Sequence, residues 1–426
     1  MTGAPSEAIE QPDTIQPDTI QPDTLPAAGR QAAFVFIFVT ILLDMLSLGI
    51  VIPVLPKLVV DFMGGDTATG AKVFGLFATA WALMQFSFSP LQGTLSDRFG
   101  RRAVILISNF GVGFDYIVMA LAPTVWWLFA GRVVSGIMSA SISTAYAYVA
   151  DVTPQDKRAA RFGLLGAAFG AGFVLGPALG GLAGAVSPRL PFWIAAGMSL
   201  ANAAYGLFIL PESLPLARRS KFSWRRANPL GAFALLRSHR ELLGLAGVNF
   251  LANLAHAVLP SVSVLYMSYR YGFDERAVGL TLAGVGVSAI VVQSLVVGQV
   301  TKRLGERGAL FLGLAFGVVG FFVFATARTA VAFWCGIPLM ALWGLASPAS
   351  LALMSRRVSA SEQGLLQGAN ASVMGIANLV GPSLFTLTFA LAIGAGRDWQ
   401  LPGAPFLIAS LLLVFAGLAA WRATRK

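Results

Sequence analysis

The sequence predicts an all-α polytopic membrane protein with 12 transmembrane helices in two pseudo-symmetric six-helix halves, and three observations carry that prediction. AVILMFWYC residues make up 56% of the chain and charged residues 12%, against about 45–50% and about 25% in a soluble domain. Apolar runs long enough to cross a bilayer, which takes about 20 helical residues, recur from Gln31 to the C-terminus. Finally, the second half repeats the first at a shift of 205 residues. A soluble enzyme, a collagen and a secreted disulfide scaffold are excluded. So is an outer-membrane barrel, because runs such as Ala330–Leu353 are continuously apolar and too long for a tilted strand. The single cysteine, Cys335, cannot form an intrachain disulfide and reads as a small core residue.

In chain order, residues 1–30 carry Q-P-D-T three times, at Gln11, Gln16 and Gln21, and read as a disordered cytoplasmic tail. The first apolar run has full helix length, so no cleavable signal fits. Six spans are expected in the half 31–210: 31–56, 73–92, 103–122, 125–149, 162–186 and 191–210. A basic cytoplasmic linker, 211–240, follows with seven Lys/Arg against one acid, Glu212. Six more spans fill 241–421, at 241–267, 277–299, 308–326, 330–354, 364–394 and 401–421, and 422–426 is a cytoplasmic tail. With both termini inside, 22 of the 30 Lys/Arg are cytoplasmic, seven lie on the opposite face and Arg132 is intramembrane. The positive-inside rule therefore expects a multi-pass protein of the inner (plasma) membrane with both termini in the cytoplasm. The net charge of +11 then reports topology rather than a nucleic-acid partner.

Two distant constellations share the 205-residue offset. Gly93–Arg102 falls on Gly298–Arg307, sharing both glycines and the arginines at 98/303 and 102/307. Gly163, Gly170, Gly176 and Pro177 fall on Gly368, Gly375, Gly381 and Pro382. Paired six-helix halves are a transporter layout, with substrate bound near the midplane.

The residues of these motifs resemble the major facilitator superfamily. Gly93-Thr94-Leu95-Ser96-Asp97-Arg98-Phe99-Gly100-Arg101-Arg102 matches its loop signature between helices 2 and 3, and Arg132 with Gly136 is similar to its fourth-helix R-x-x-x-G motif. Gly172, Gly176, Pro177, Gly180 and Gly181 resemble the fifth-helix antiporter motif. Asp44 leading to Gly49–Pro56, the Asp115-Tyr116 pair and Ser187-Pro188 before Pro191-Phe192 are similar to tetracycline-efflux proteins of the drug–proton antiporter group. That likeness runs from about residue 33 to 420.

Asp44 stands at membrane depth, where an ionised acid costs several kcal/mol unless solvated or paired. It is the first expected site of proton coupling, with a structural hydrogen bond as the alternative. Its repeat partner is Asn249, which cannot titrate. Asp115 and Arg132 join it: the resemblance implies transport roles, and a packed acid and a fixed ion pair are the alternatives. Gly93 and Gly100 are expected to make a tight turn. Asp97, Arg98, Arg101 and Arg102 supply charges that, by the resemblance, clamp a cytoplasmic gate onto Asp151. In the second loop Lys302 and Glu306 reverse the signs of Asp97 and Arg101, and a local Lys302–Glu306 contact is expected, worth about 0.2–0.5 kcal/mol. The helix-5 glycines, with Gly166 and Gly170, are expected to pack tightly against helix 8. Trp81, Gln85, Tyr146, Asn253, His256, Tyr266, Gln293, Trp343 and Asn370 are the expected cavity lining, although His256 also fits a satisfied structural histidine.

The resemblance implies a proton-coupled secondary transporter, acting as a monomer, that exports an amphipathic or drug-like small molecule. The alternative is a proton-coupled metabolite importer on the same fold. A membrane-embedded enzyme needs a catalytic constellation that the sequence does not offer, and no metal or cofactor is called for. Where tetracycline exporters carry a histidine in helix 8 and an acid in helix 9, this chain has Ser288 and Gly317, so tetracycline itself is not implied.

Overall fold

A computed structural model describes residues 27–139, 141–154, 157–220, 240–359 and 362–425. The expectations for residues 1–26, for the linker residues 221–239 and for Lys426 lie outside the described residues. Within them the regular structure is helical. The first half comprises α1 (Ala27–Val51), α2 (Leu55–Phe62), α3 (Thr67–Phe99), α4 (Arg101–Leu121), α5 (Val125–Met138), α6 (Ser141–Val152), α7 (Arg158–Val186) and α8 (Leu190–Ile209). The second comprises α9 (Arg240–His256), α10 (Val258–Tyr271), α11 (Glu275–Val291), α12 (Val297–Thr326), α13 (Ala330–Trp343), α14 (Ala346–Ser355), α15 (Gln363–Ile393) and α16 (Ala404–Thr424).

Among the described residues eleven segments are long and apolar enough to span a membrane, but one of them, Glu275–Thr326, has 52 residues. At 1.5 Å per residue that is about 78 Å, more than twice a hydrocarbon core of about 30 Å. Gly305, with φ 68° and ψ 173°, breaks it into two crossings, which makes twelve. Its repeat partner Gly100 breaks the chain in the same way between α3 and α4, with φ 105° and ψ 153°. The repeat extends to interrupted spans. The α1/α2 break at residues 52–54 matches the break at Ala257, and the α5/α6 break at Ser139 matches that at Gly344 and Leu345. The two prolines of the repeat, Pro177 and Pro382, sit inside long helices.

The halves meet along two symmetry-related contacts, α7 on α11 and α3 on α15. Phe114, Trp126, Phe208 and Val186 face outward, as side chains in contact with lipid must. Cys335 is also exposed. It points out of the bundle and is not the small core residue expected of it. On the face opposite the linker, Asp66 caps α3 by accepting from the Ala68 and Thr69 amides. The Thr69 hydroxyl, then the Ala68 amide, hold its carboxyl below the usual carboxylate range.

Candidate functional site

Three charged residues of the first half gather around one tyrosine. The buried Tyr116 hydroxyl lies within electrostatic reach of Arg132, Asp115 and Asp44. Asp115 is 2% exposed, and neither of its carboxylate oxygens has a hydrogen-bond partner. Gly131 makes room for it, since a Cβ there would stand 2.6 Å from Asp115 Oδ1. Arg132 is also buried, and its guanidinium lies over the Trp81 ring, 5.3 Å from the centroid. Among the described residues no carboxylate comes within 4 Å of Arg132, so the fixed ion pair offered as an alternative is not formed. Gly136 permits this approach, because a Cβ would meet Trp81 O at 2.7 Å.

The second half holds a cavity instead of charges. It has a volume of about 710 Å³, within the usual range for drug-sized ligands. Of the nine residues expected to line a cavity, Asn253, His256, Gln293, Trp343 and Asn370 line this one. The other four do not. Tyr266 is fully buried in an aromatic core, donating to Phe324 O and packed on Phe406. Trp81 stacks under Arg132, Tyr146 packs on Phe162, and Gln85, on the first half's α3, is no part of this wall.

Asn249 organises the amides. It donates to Asn370 Oδ1 at 3.1 Å, accepts from the Ser350 hydroxyl at 2.6 Å, and its carbonyl accepts from Asn253 at 2.7 Å. Gln293 sits in a π-helical turn, Val292–Val296, a distortion that often marks functional positions. His256 packs against Trp343 with ring centroids 5.7 Å apart. Gly317 is filled in by its neighbours: a Cβ would meet Leu413 at 2.5 Å and Trp343 at 2.8 Å, so an acid there would have to displace both side chains.

The expected gate is a helix end rather than a loop. Residues 93–99 continue α3, and the reversal takes the single residue Gly100. Gly93 faces open space and makes no turn. Gly100 is irreplaceable on two counts, its left-handed φ and the Glu212 carboxylate 2.1 Å from where a Cβ would be. The cation of the clamp is Arg101. It pairs with Asp97 and, at 3.3 Å, with Asp151. Arg98 instead lies over Phe99, and Arg102 donates to Leu207 O on α8.

At the repeat position Glu306 pairs with Arg356 at 2.7 Å. Those two residues are the 205-residue equivalents of Arg101 and Asp151, so the clamp recurs with both signs reversed. The local Lys302–Glu306 contact is not what forms, because Glu306 reaches across to the end of α14.

The fifth span, α7, serves two partners. Of the motif glycines Gly181 alone meets α11, where a Cβ would stand 2.4 Å from Glu275 O and 2.9 Å from Gly279 Cα. Gly172, Gly176 and Gly180 pack on α1, against Met45, Gly49 and Ile50, while Pro177 lends its carbonyl to the Gly279 contact. Gly166 and Gly170 face open space and support no close approach. Opposite the linker, Lys57 ties the halves together by pairing with Glu275 at 3.2 Å and donating to Phe273 O at 2.8 Å. The cavity runs the other way, from Met340 and Asn378 near midmembrane to Leu310 and Gln367 near the linker-side helix ends.

Several of these residues were missed in the sequence. Gln367, Ala371, Met374 and Asn378 recur at helical spacing along α15 with the expected Asn370 and line the cavity, and that stripe was a legible signal. Glu212 reads as the lone acid of a basic linker. Its actual work, accepting from the Arg101 amide at 2.9 Å beside Arg219, depends on a fold-back no local pattern shows.

The family model described as Major Facilitator Superfamily matches residues 37–382. The tetracycline resistance protein, class C, of Escherichia coli is 37% identical over 381 residues, covering 88% of this chain and 95% of that protein. The class D protein of Salmonella ordonez is 36% identical, with 84% and 89% covered. Among solved structures, a bacterial homologue of the human lysosomal transporter Spinster, in an inward-facing and unoccupied conformation, superposes with TM-score 0.77 at 15% identity, covering 94% of this chain and 98% of that one.

Proposed function

This chain belongs to the Major Facilitator Superfamily, and from that premise we propose that it is a proton-coupled exporter of amphipathic, drug-like molecules. The observation that carries the proposal is Asp115, a carboxylate with both oxygens buried and unpartnered beside a guanidinium that it does not bind. Such an acid is costly to keep ionised within a bilayer, and a proton satisfies it. The curated relatives are named for tetracycline resistance, which supports efflux as the direction.

In this reading the linker face is cytoplasmic, both termini lie inside, and the protein works as a monomer in the inner membrane. The cavity, reaching toward the linker side while Lys57–Glu275 holds the opposite side together, is the inward-open state that collects substrate. Asparagine, glutamine and serine side chains line it with no carboxylate. It therefore takes a molecule that hydrogen-bonds through neutral groups and lays an apolar face on Trp343. Asp44 and Asp115 carry protons, Arg132 biases them according to which is loaded, and the Arg101 clamp sets the balance between inward and outward states.

The test is drug-driven proton efflux in everted vesicles. Adding tetracycline, or an amphipathic compound found by screening, to acid-loaded vesicles is expected to dissipate the gradient saturably in the wild type and not in Asp115→Asn. Equal dissipation by the two proteins contradicts the proposal.

A further inference from the structure

Seven basic residues lie on the face opposite the linker, where the positive-inside rule disfavours them. Lys57 is engaged with Glu275, and Arg189 donates to the Ala120 and Ala122 carbonyls. Three of the remainder converge: Arg270 at the end of α10, Arg328 before α13 and Arg397 after α15 line a second cavity of about 430 Å³. No acid lines it. Among the described residues none of the three is in an ion pair. The nearest acids in sequence are occupied or elsewhere. Asp274 caps α11 by accepting from the Ala277 amide, Glu275 holds Lys57, and Asp398 is not in the wall.

Architecture does not demand these arginines. Their repeat partners in the first half are Gly65, Pro123 and Phe192, so the fold is built once without them. Arg270 gains from the negative end of its helix, but Arg328 and Arg397 have no such reason. The loop that brings Arg397 in also carries Gln400, which lines the cavity at φ 52° and is the one non-glycine residue with positive φ among the described residues. Tyr269, in the same wall, and the neighbouring Trp399 are exposed. Amphipathic aromatics of this kind sit at headgroup level.

We propose that this three-arginine cavity is a binding site for a phosphate oxyanion. Guanidinium forks match phosphate oxygens in pairs, and three unneutralised cations in one cavity lower their mutual repulsion by sharing such a ligand. The oxyanion has two possible sources, an acidic phospholipid headgroup and free phosphate. The site is independent of the drug cavity and of the proton residues.

The detergent-purified full chain tests it by thermal melting and equilibrium binding with three probes: dioctanoyl-phosphatidylglycerol, inorganic phosphate and dioctanoyl-phosphatidylcholine. Saturable stabilisation by the glycerol lipid alone assigns a headgroup site. Stabilisation by inorganic phosphate as well assigns an open oxyanion site. The triple variant Arg270→Gln/Arg328→Gln/Arg397→Gln is expected to weaken binding by about tenfold or more, the scale of losing hydrogen bonds to charged groups. Arg397→Gln alone and the triple lysine variant, which keeps the charges but not the forks, are expected to fall between, and they serve should the triple glutamine chain not fold. No response to either anionic probe, an equal response to phosphatidylcholine, or binding unchanged in the variants overturns the proposal.

Discussion

Asp44 and Asn249 occupy equivalent places in the two halves, yet Asp44 makes no hydrogen bond or ion pair among the described residues while Asn249 anchors a network of three side chains. The difference runs through both halves. The equivalents of Asp115 and Arg132 are Gly320 and Ile337, and the equivalents of Asn253, His256, Gln293 and Asn370 are Leu48, Val51, Phe88 and Leu165. At these six further positions one half is apolar where the other is polar. One scaffold, duplicated, carries acids without partners, Asp44 and Asp115, on one side and hydrogen-bonded neutral amides around a cavity on the other. Unpartnered acids change protonation with little rearrangement, whereas a hydrogen-bonded amide network holds a shape. Under the proposed function this contrast is a division of labour, in which the first half would handle protons and the second substrate.

The largest expected effect comes from the charged half. Asp115→Asn and Asp44→Asn are each expected to reduce proton-driven efflux by about a hundredfold, the order a positioned proton-transfer group supplies, while leaving the inserted protein at wild-type levels. Vesicle transport and immunoblotting check this. Asn370→Leu should act in the other currency. It leaves the Asn249 amide and its partners short of a hydrogen bond at about 1–3 kcal/mol, so substrate binds roughly 10 to 100 times more weakly while protons per drug stay constant. Proton stoichiometry altered by Asn370→Leu breaks the division.

Smaller effects sharpen it. Gly100→Ala meets both a left-handed φ and the Glu212 carboxylate, whereas Gly305→Ala meets the φ alone, with no atom within 4 Å. Strain at such a residue is of order 1–3 kcal/mol, so the first variant should lose more thermal stability than the second, as melting temperatures will show. The clamps give the smallest difference. Arg101 is 12% exposed, whereas Arg356 is 74% exposed, and exposed pairs contribute about 0–1 kcal/mol. Asp97→Asn should therefore slow transport measurably without changing affinity, while neutralising Glu306 or Lys302 should scarcely register. Equal losses at matched expression would remove the asymmetry between the loops.

The architecture was legible because hydropathy and a repeat are whole-segment signals. The 205-residue offset read from two glycine motifs also relates the breaks at residues 52 and 257 and the turns at Gly100 and Gly305, although hydropathy alone predicts unbroken spans at 31–56 and 241–267. Residues defined by the scarcity of their type were legible too: Asp44, Asp115 and Arg132 stand out because charge inside a span is rare. What failed was the assignment of neighbours. Tyr266 has the spacing and chemistry of a cavity residue but faces an aromatic core. Gly93 has a motif position but no close partner. The partner of Glu306 lies 50 positions away on another helix end. Which face of a span meets cavity, lipid or another helix depends on rotation of the whole helix, and local sequence constrains that only weakly.

The division of labour is tested most directly by the pH dependence of drug binding to the purified protein. If protons and drug compete through the first half, wild-type affinity falls as pH is lowered. Asp115→Asn should bind with affinity close to that of the wild type at high pH and hold that affinity across the pH range. An Asp115→Asn protein whose affinity still follows pH as the wild type does, or which no longer binds drug at any pH, would contradict the account.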